Sequence, residues 1–361
     1  MKVLVVGTHP NMHQISMHLF SKWLQEAASN HNDVSSIAAP AILYNSATSG
    51  FRFAKWLHYI DQFAILTLVL SIIQFQYDAV ICADHSNSPS LAFVQRRRKI
   101  AMVHDTIAMR QGLGLIAGEN RSGFMGRLLQ RWTVQSLKSC HTLLSNPGPV
   151  VKELRDFGFR GHIEDLGCPF ESQRLNLEVE GSPLPGKKFI LNVGSDIKRK
   201  RKAEIINLWH DVESINDNLH LVFAGRTGSE SLALIERLEM RRVIILNDAS
   251  DDTLARLYKS AEAIIIGSKS EGFCIPVLEG LAFQKRILTP TDVPFFAEVF
   301  GSTIDAVVDL QSNNGAFKLL EALKSDKPNG YDEERLKLME TYSFSNFSLR
   351  VENVLQELRN E

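Results

Sequence analysis

The sequence predicts an α/β chain of two doubly wound domains, and three observations carry that expectation. First, 361 residues is the length of two domains of ordinary size, each able to bury its own core. Second, one theme occurs twice. The apolar run Val3–Val6 stops at Gly7, and Phe189-Ile190-Leu191-Asn192-Val193 stops at Gly194. Each reads as a strand buried on both faces, as parallel sheets require. Third, the stretch 167–188 between them holds Pro169, Gly181, Pro183, Pro185 and Gly186, the composition of a linker. The expected domains are residues 1–170 and 171–340, with a further helix over 341–361.

Composition narrows the function. A formal net charge of -1 argues against a general nucleic-acid binder. Cys82, Cys140, Cys168 and Cys274 lie apart with no CxxC spacing, so neither a zinc site nor a disulfide framework is expected. A reducing, cytoplasmic setting follows. No apolar stretch of adequate length follows Lys2, so the start reads as a strand and not as a signal peptide. The apolar run Phe63–Phe75 is broken by Thr67, Ser71 and Gln74 and is shorter than the roughly 20 residues a bilayer needs. It reads as a buried core helix.

In the first half, Ile15, Leu19, Phe20, Trp23 and Leu24 share one helical face and complete the first strand–helix unit. The intervening turn has one glycine and no dinucleotide fingerprint. His9, His13 and His18 lack the carboxylate or Cys partner that would complete a metal site, so no metal is expected. Tyr77–Ala83 is a strand, and Arg96-Arg97-Arg98-Lys99 is a basic cluster, either a solvated face or a contact for an anionic membrane surface. Ile100–Val103 is a strand that delivers His104 and Asp105 at its carboxyl end. Residues 106–126, with five glycines at 112, 114, 118, 123 and 126, read as a mobile segment. Strand Thr142–Ser145, helix Val150–Phe157 and strand His162–Leu166 close this half.

In the second half the strand ending at Gly194 leads into five consecutive basic residues, Lys198 to Lys202. Leu219–Gly225 and Val243–Leu246 are strands, and Leu254, Leu257, Tyr258 and Ala261 mark a helix. Ala263–Ile266 is a short buried strand, followed by the loop 267–274. Pro276 suits the first helical residue after an Ile275 N-cap, Val277, Leu278, Leu281 and Ala282 form an apolar stripe, and Arg286–Thr289 is the next strand. Ile275 has no side-chain oxygen for the first helical amides. Those donors, with the loop amides of Gly272 and Phe273, are available to an anion such as a pyrophosphate. Glu271 in the loop and Glu279 in the first turns of the helix can face one crevice at the strand's carboxyl end.

These residues carry a resemblance. SEGFCIPVLEGLA is similar to the E-x7-E signature of the retaining GT4 glycosyltransferases, enzymes of the GT-B fold. The resemblance implies two facing Rossmann-like domains with a cleft between them and a terminal helix, 342–358 here, that crosses back to the first domain. It also implies the site. Glu271 contacts the donor sugar, Gly272, Phe273 and Cys274 hold the diphosphate, and Glu279 binds the ribose. Arg199 and Lys200 match the basic pair that neutralises the leaving diphosphate, and His104 matches a histidine that faces the donor sugar. Cys274 stands where the family usually has glycine. The implied reaction is transfer of a sugar from a nucleotide-sugar to a glycan or lipid-linked acceptor with retention of configuration, in surface polysaccharide synthesis. No metal and no separate cofactor take part, and the expected setting is the cytoplasm or the cytoplasmic membrane face. A sugar-nucleotide epimerase and a silent nucleotide-sugar-binding subunit share the fold; intact Glu271, Glu279 and His104 disfavour the silent one.

Overall fold

A computed structural model describes residues 1–361 except 12–14, 46, 49, 52, 117–121, 171–173, 328 and 361. Met12, His13, Arg52 and Gly118 therefore fall outside the described residues, as does the side chain of Ile15. The chain divides into two compact units, one of Met1–Pro169 with Phe344–Glu361 and one of Phe170–Ser343.

The first unit is built on a six-stranded parallel sheet. Its strands are β1 (Lys2–Val6), β2 (Asp33–Ile37), β3 (Ala79–Cys82), β4 (Lys99–Val103), β5 (Thr142–Ser145) and β6 (His162–Asp165), in the order β2-β1-β3-β4-β5-β6. The central strands β3, β4 and β5 are buried throughout, which their runs of Val, Ile, Leu and Ala permit. Helix Ile15–Ser29 lays Phe20, Trp23, Leu24, Ala27 and Ala28 inward. The terminal helix Phe344–Asn360 belongs to this unit and packs on that first helix. Phe347 meets Phe20 edge-on at 5.7 Å, and Asn32 donates to Glu352 at 2.9 Å.

Several expectations change here. The apolar run lies in one continuous helix, Ala54–Gln76, with a π-helical turn at Asp61–Ile65; it is long and apolar enough, by length and composition, to cross a membrane. It is not a fully buried core helix either. Leu66 and Leu70 join the core, whereas Leu68, Ile72 and Phe75 are exposed, because one side only packs on the unit, against the segment His85–Leu91. The basic cluster is divided: Lys99 is buried at the start of β4 beside Ser139, Arg98 donates to the Gln74 carbonyl, and Arg96 and Arg97 stay exposed. Within 106–126, Ile107–Leu113 is helical and a second helix begins at Phe124. Thr106 and Arg110 both bond to Glu153. Among the described residues no group of three His, Cys, Asp or Glu could hold a metal.

The second unit repeats the plan with β7 (Lys188–Val193), β8 (Leu219–Ala224), β9 (Val243–Leu246), β10 (Ala263–Ile265), β11 (Arg286–Pro290) and β12 (Asp305–Val308). All are parallel in the order β12-β11-β10-β7-β8-β9. Read from β9, that is the 3-2-1-4-5-6 order of dinucleotide-type folds. Helix Lys202–Ile215 supplies Ile205, Ile206, Trp209 and Val212 to its core.

Burial sets a pH limit on the first unit. His9, His58 and His104 are all buried, and burial is the largest influence lowering each pKa; for His58, with His9 adding and Asp61 opposing, it falls to about 4. Once unfolded, these rings titrate near 6.5, so below that pH the unfolded chain takes up protons that the folded chain refuses. Stability is thus full above about 6.5 and is lost as pH falls towards the folded values, by up to about 3 kcal/mol for His58 alone. Urea midpoints should drop between pH 7 and pH 4.5, and the drop should shrink in His58→Phe.

Candidate active site

In an open parallel sheet, ligands bind outside the carboxyl ends of the strands where the order reverses. In the second unit that point lies between β7 and β10, and the loops following these two strands meet there. Several contacts stitch them together. The Lys269 amide donates to the Arg199 carbonyl at 2.8 Å, and Arg201 Nε donates to the Gly267 carbonyl at 2.5 Å. Gly267 is required by the closeness of the two loops: a Cβ there would lie 2.6 Å from Ile205 Cδ1 and 2.9 Å from the Lys200 carbonyl oxygen.

The basic run is sorted by this geometry. Arg201 turns inward and forks onto Asp292 at 2.8 and 3.0 Å. Lys202 is buried, bonds to Thr227 Oγ1 at 3.1 Å and lies over the Phe223 ring; burial, opposed by Asp196, lowers its pKa to about 8. Lys198 points to solvent. Arg199 and Lys200 reach Glu271: Nη1 lies 2.6 Å from one carboxylate oxygen and Nζ 2.5 Å from the other. The Glu271 side chain is only 5% exposed. Burial pushes its pKa up, but Lys200, Arg199 and the Ser268 hydrogen bond outweigh that and hold it below the usual carboxylate value.

The turn Gly272-Phe273-Cys274 joins Glu271 to helix Ile275–Ala282. The N-cap is Cys274, not Ile275, so the helix starts one residue earlier than expected and Pro276 is its second residue, still within the first turn. Cys274 provides no side-chain cap bond, and no acidic residue occupies the first turn. Its backbone is left-handed, with φ 72°, the conformation that glycine adopts at no steric cost and other residues rarely adopt. The side chain of Phe273 is structural, edge-on to Tyr342 at 4.8 Å and Phe300 at 5.7 Å.

Glu279 is buried and both its oxygens are engaged. Tyr258 Oη donates to one at 2.6 Å, and Arg174 pairs with the other while also holding Asp251 at 2.7 Å. Sequence reasoning missed both partners. Tyr258 passes for a core aromatic, and its ring does stack on Phe283 at 5.5 Å. Arg174 lies in the stretch read as a linker, where no periodicity marks it.

His104 belongs to the first unit, at the carboxyl end of β4, and its surroundings are those of that unit. It is 6% exposed, edge-on to Phe20 at 4.5 Å, and its carbonyl accepts from Asn146 Nδ2 at 2.6 Å. Nε2 lies 2.7 Å from the Ala83 carbonyl. A carbonyl only accepts, so Nε2 carries the proton and, in the neutral ring, Nδ1 is the acceptor. Burial lowers its pKa, outweighing Asp84, so the ring is neutral near pH 7.

The left-handed turn yields a prediction about the one departure from glycine. Cys274→Gly should change stability by less than about 1 kcal/mol, whereas Cys274→Val, with a branched Cβ at φ 72°, should lose about 2 kcal/mol. Thermal melts of the two variants check it.

Known proteins bear on what this arrangement serves. Residues 177–338 match the family described as Glycosyl transferases group 1. The O-antigen chain mannosyltransferase RfbU of Salmonella typhimurium (strain LT2) is 30% identical over 333 residues, covering 89% of this chain and 85% of that protein. The serotype-specific mannosyltransferase WbdA of Escherichia coli is 28% identical over 143 residues, 38% of this chain, and the match spans only 17% of WbdA. Among solved structures, sucrose-phosphate synthase of Thermosynechococcus elongatus has a TM-score of 0.72 at 14% identity over 99% of both chains. The α,α-trehalose-phosphate synthase (UDP-forming) of Burkholderia xenovorans, in complex with glucose-6-phosphate, has 0.68 at 12% over 99% of both. These structures share the fold of this chain, built here on two parallel six-stranded sheets with helices. With its E-x7-E turn at the switch point of the second sheet, and a relative matched along almost the whole chain, this protein belongs to the group 1 glycosyltransferases and has their GT-B fold.

Proposed function

We propose that the chain transfers a mannosyl residue from a nucleotide-sugar to a glycan or lipid-linked acceptor in surface polysaccharide synthesis, with retention of configuration and without a metal. The observation that carries it is the pairing of Arg199 and Lys200 with the sheltered Glu271 at the switch point. Two fixed cations beside a helix N-terminus are an anion site, and a diphosphate with its sugar is the anion this family handles. In the reaction the bond from the anomeric carbon to the phosphate oxygen breaks. The acceptor oxygen bonds to that carbon from the same face, and its proton passes to the departing phosphate. Arg199 and Lys200 neutralise the charge that the diphosphate gains, the part a divalent ion plays elsewhere. Glu271 meets the donor sugar, the Gly272–Cys274 amides meet the phosphates, Glu279 takes the ribose hydroxyls, and neutral His104, its Nε2 proton given to the Ala83 carbonyl, accepts a hydrogen bond from a sugar hydroxyl at Nδ1. The names of the RfbU and WbdA relatives support mannose as the sugar.

The assay is transfer of label from GDP-mannose to a lipid-linked glycan in the presence of EDTA. Activity should persist, Lys200→Ala should lower kcat on the order of a hundredfold, and Lys198→Ala, a solvent-facing neighbour, should stay within about twofold of the parent. Loss of activity with EDTA, or equal effects of the two lysines, refutes the reading.

The same reading places the protein at the cytoplasmic membrane face. Helix Ala54–Gln76 turns Trp56, Ile60, Leu68, Ile72 and Phe75 outward, most of them more than half exposed, and nearby Phe93 is 68% exposed. Lys55, Arg96 and Arg97 are exposed in the same unit. Apolar side chains with a few cations suit an anionic leaflet, where each nearby Lys or Arg contributes about 1 kcal/mol. Co-sedimentation should show binding to vesicles containing phosphatidylglycerol, weaker binding to phosphatidylcholine, and loss in the double variant Leu68→Ser/Ile72→Ser. Equal recovery with both vesicle types, or an unaffected double variant, counts against it.

A further inference from the structure

The carboxylate of Glu279 is held from one neighbouring helix, once directly and once through an intermediary. On helix Asp251–Ser260, Asp251 and Tyr258 lie two turns apart and so share a face. Tyr258 donates its hydroxyl to Glu279 Oε2 at 2.6 Å. Asp251 accepts from Arg174 at 2.7 Å, and the same guanidinium donates to Glu279 Oε1. All four residues belong to the second unit.

Neither donor is loose. Tyr258 is fully buried, and its ring stacks on Phe283 at 5.5 Å with only 9° between the planes, which aims the hydroxyl. Burial pushes its pKa well above the ordinary phenol value, so the hydroxyl keeps its proton and is the donor. Arg174 begins a stretch strapped along the same helix. Lys259 donates to the Leu177 carbonyl at 3.4 Å, Arg256 donates to the Glu180 carbonyl, and Leu175 and Val179 are buried. The guanidinium is thereby fixed between two carboxylates, with the Arg174 side chain 19% exposed and that of Glu279 5%.

Two donors on one carboxylate do not exhaust it. Its oxygens offer about four lone-pair sites, so one donor on each oxygen leaves each a further site, side by side. A vicinal pair of hydroxyls, such as the 2′ and 3′ hydroxyls of ribose, can meet two such acceptors together. A carboxylate free to turn would have to be ordered at the moment of binding, and that ordering subtracts from affinity. We propose that Tyr258 and Arg174 are positioning residues, which touch no part of the nucleotide and fix Glu279 so that it distinguishes ribose from deoxyribose. This rests on the sugar-transfer reading above, in which Glu279 takes the ribose hydroxyls.

Calorimetric titration of the full chain with GDP and with 2′,3′-dideoxy-GDP tests it; should UDP be the nucleotide bound, the same pair of uridine ligands is used. In the parent, loss of the two hydroxyls should weaken binding on the order of a hundredfold. Tyr258→Phe, which keeps the stacked ring, should weaken GDP about tenfold and leave dideoxy-GDP within about twofold. The penalty for the missing hydroxyls then shrinks to about tenfold, and Arg174→Gln should behave alike. A residue that only supports the fold would weaken both nucleotides equally. Unchanged dideoxy-GDP binding also shows that the variants are folded; should Arg174→Gln fail to fold, Tyr258→Phe decides. Equal weakening of both nucleotides, no weakening of either, tighter GDP binding by Arg174→Gln, or a parent indifferent to the hydroxyls overturns the proposal and leaves sugar transfer standing. A parent that binds neither GDP nor UDP refutes the sugar-transfer reading, and the proposal with it.

Discussion

A carboxylate sheltered from water must be paired or give up its charge, and the pairing of Glu271 with Arg199 and Lys200 is the constraint from which the second unit's site follows. Removing one partner from a buried pair typically costs about 3–5 kcal/mol, so the loops after β7 and β10 are bound to each other by charge as well as by backbone bonds. The same pairing presents two cations at one place without their repelling each other apart. On the function proposed above, an arriving diphosphate would share donors that Glu271 already holds in position, which would lessen the reorganisation needed at the moment of reaction.

The inward turn of Arg201 and Lys202 completes that arrangement. Arg201, with φ 51°, ends the 3-10 turn of Lys198–Lys200 and anchors it to Asp292 and Gly267. Two of five consecutive cations are thus devoted to the loop's shape, and two to its charge. Glu279 is organised in the same manner, held by Tyr258 and Arg174 from outside its own helix.

The first unit reverses the usual order of a surface helix. Along Ala54–Gln76 the polar Asp61, Gln62, Thr67 and Gln74 are buried while Leu68, Ile72 and Phe75 face outward. The buried polar groups have structural employment: Asp61 accepts the amides of Leu43 and Tyr44, and Gln74 joins the Phe93 carbonyl and the Gln95 amide. Among the described residues of the unit, the outward apolar face has no such partner. A helix of this kind buries one side in its own core and leaves an apolar side exposed.

By itself the sequence determined the strands buried on both faces, because their apolar runs are unbroken, and the turn from Glu271 to Glu279, because its spacing is local. It left out β2 and β12, outer strands of their sheets: Asp33, Ser35 and Ser36 interrupt any apolar run in β2, and β12 offers only the three apolar residues 306–308. The tertiary structure alone decided which cations of the run 198–202 meet Glu271, since consecutive charges have no register until a backbone turn at Arg201 sends them different ways. It alone brought Arg174 to Glu279, 105 residues apart in the chain. And it alone gathered Thr8, His58 and His85 around one cavity, for contacts between distant loops are fixed by strand order, which no local pattern of residues encodes.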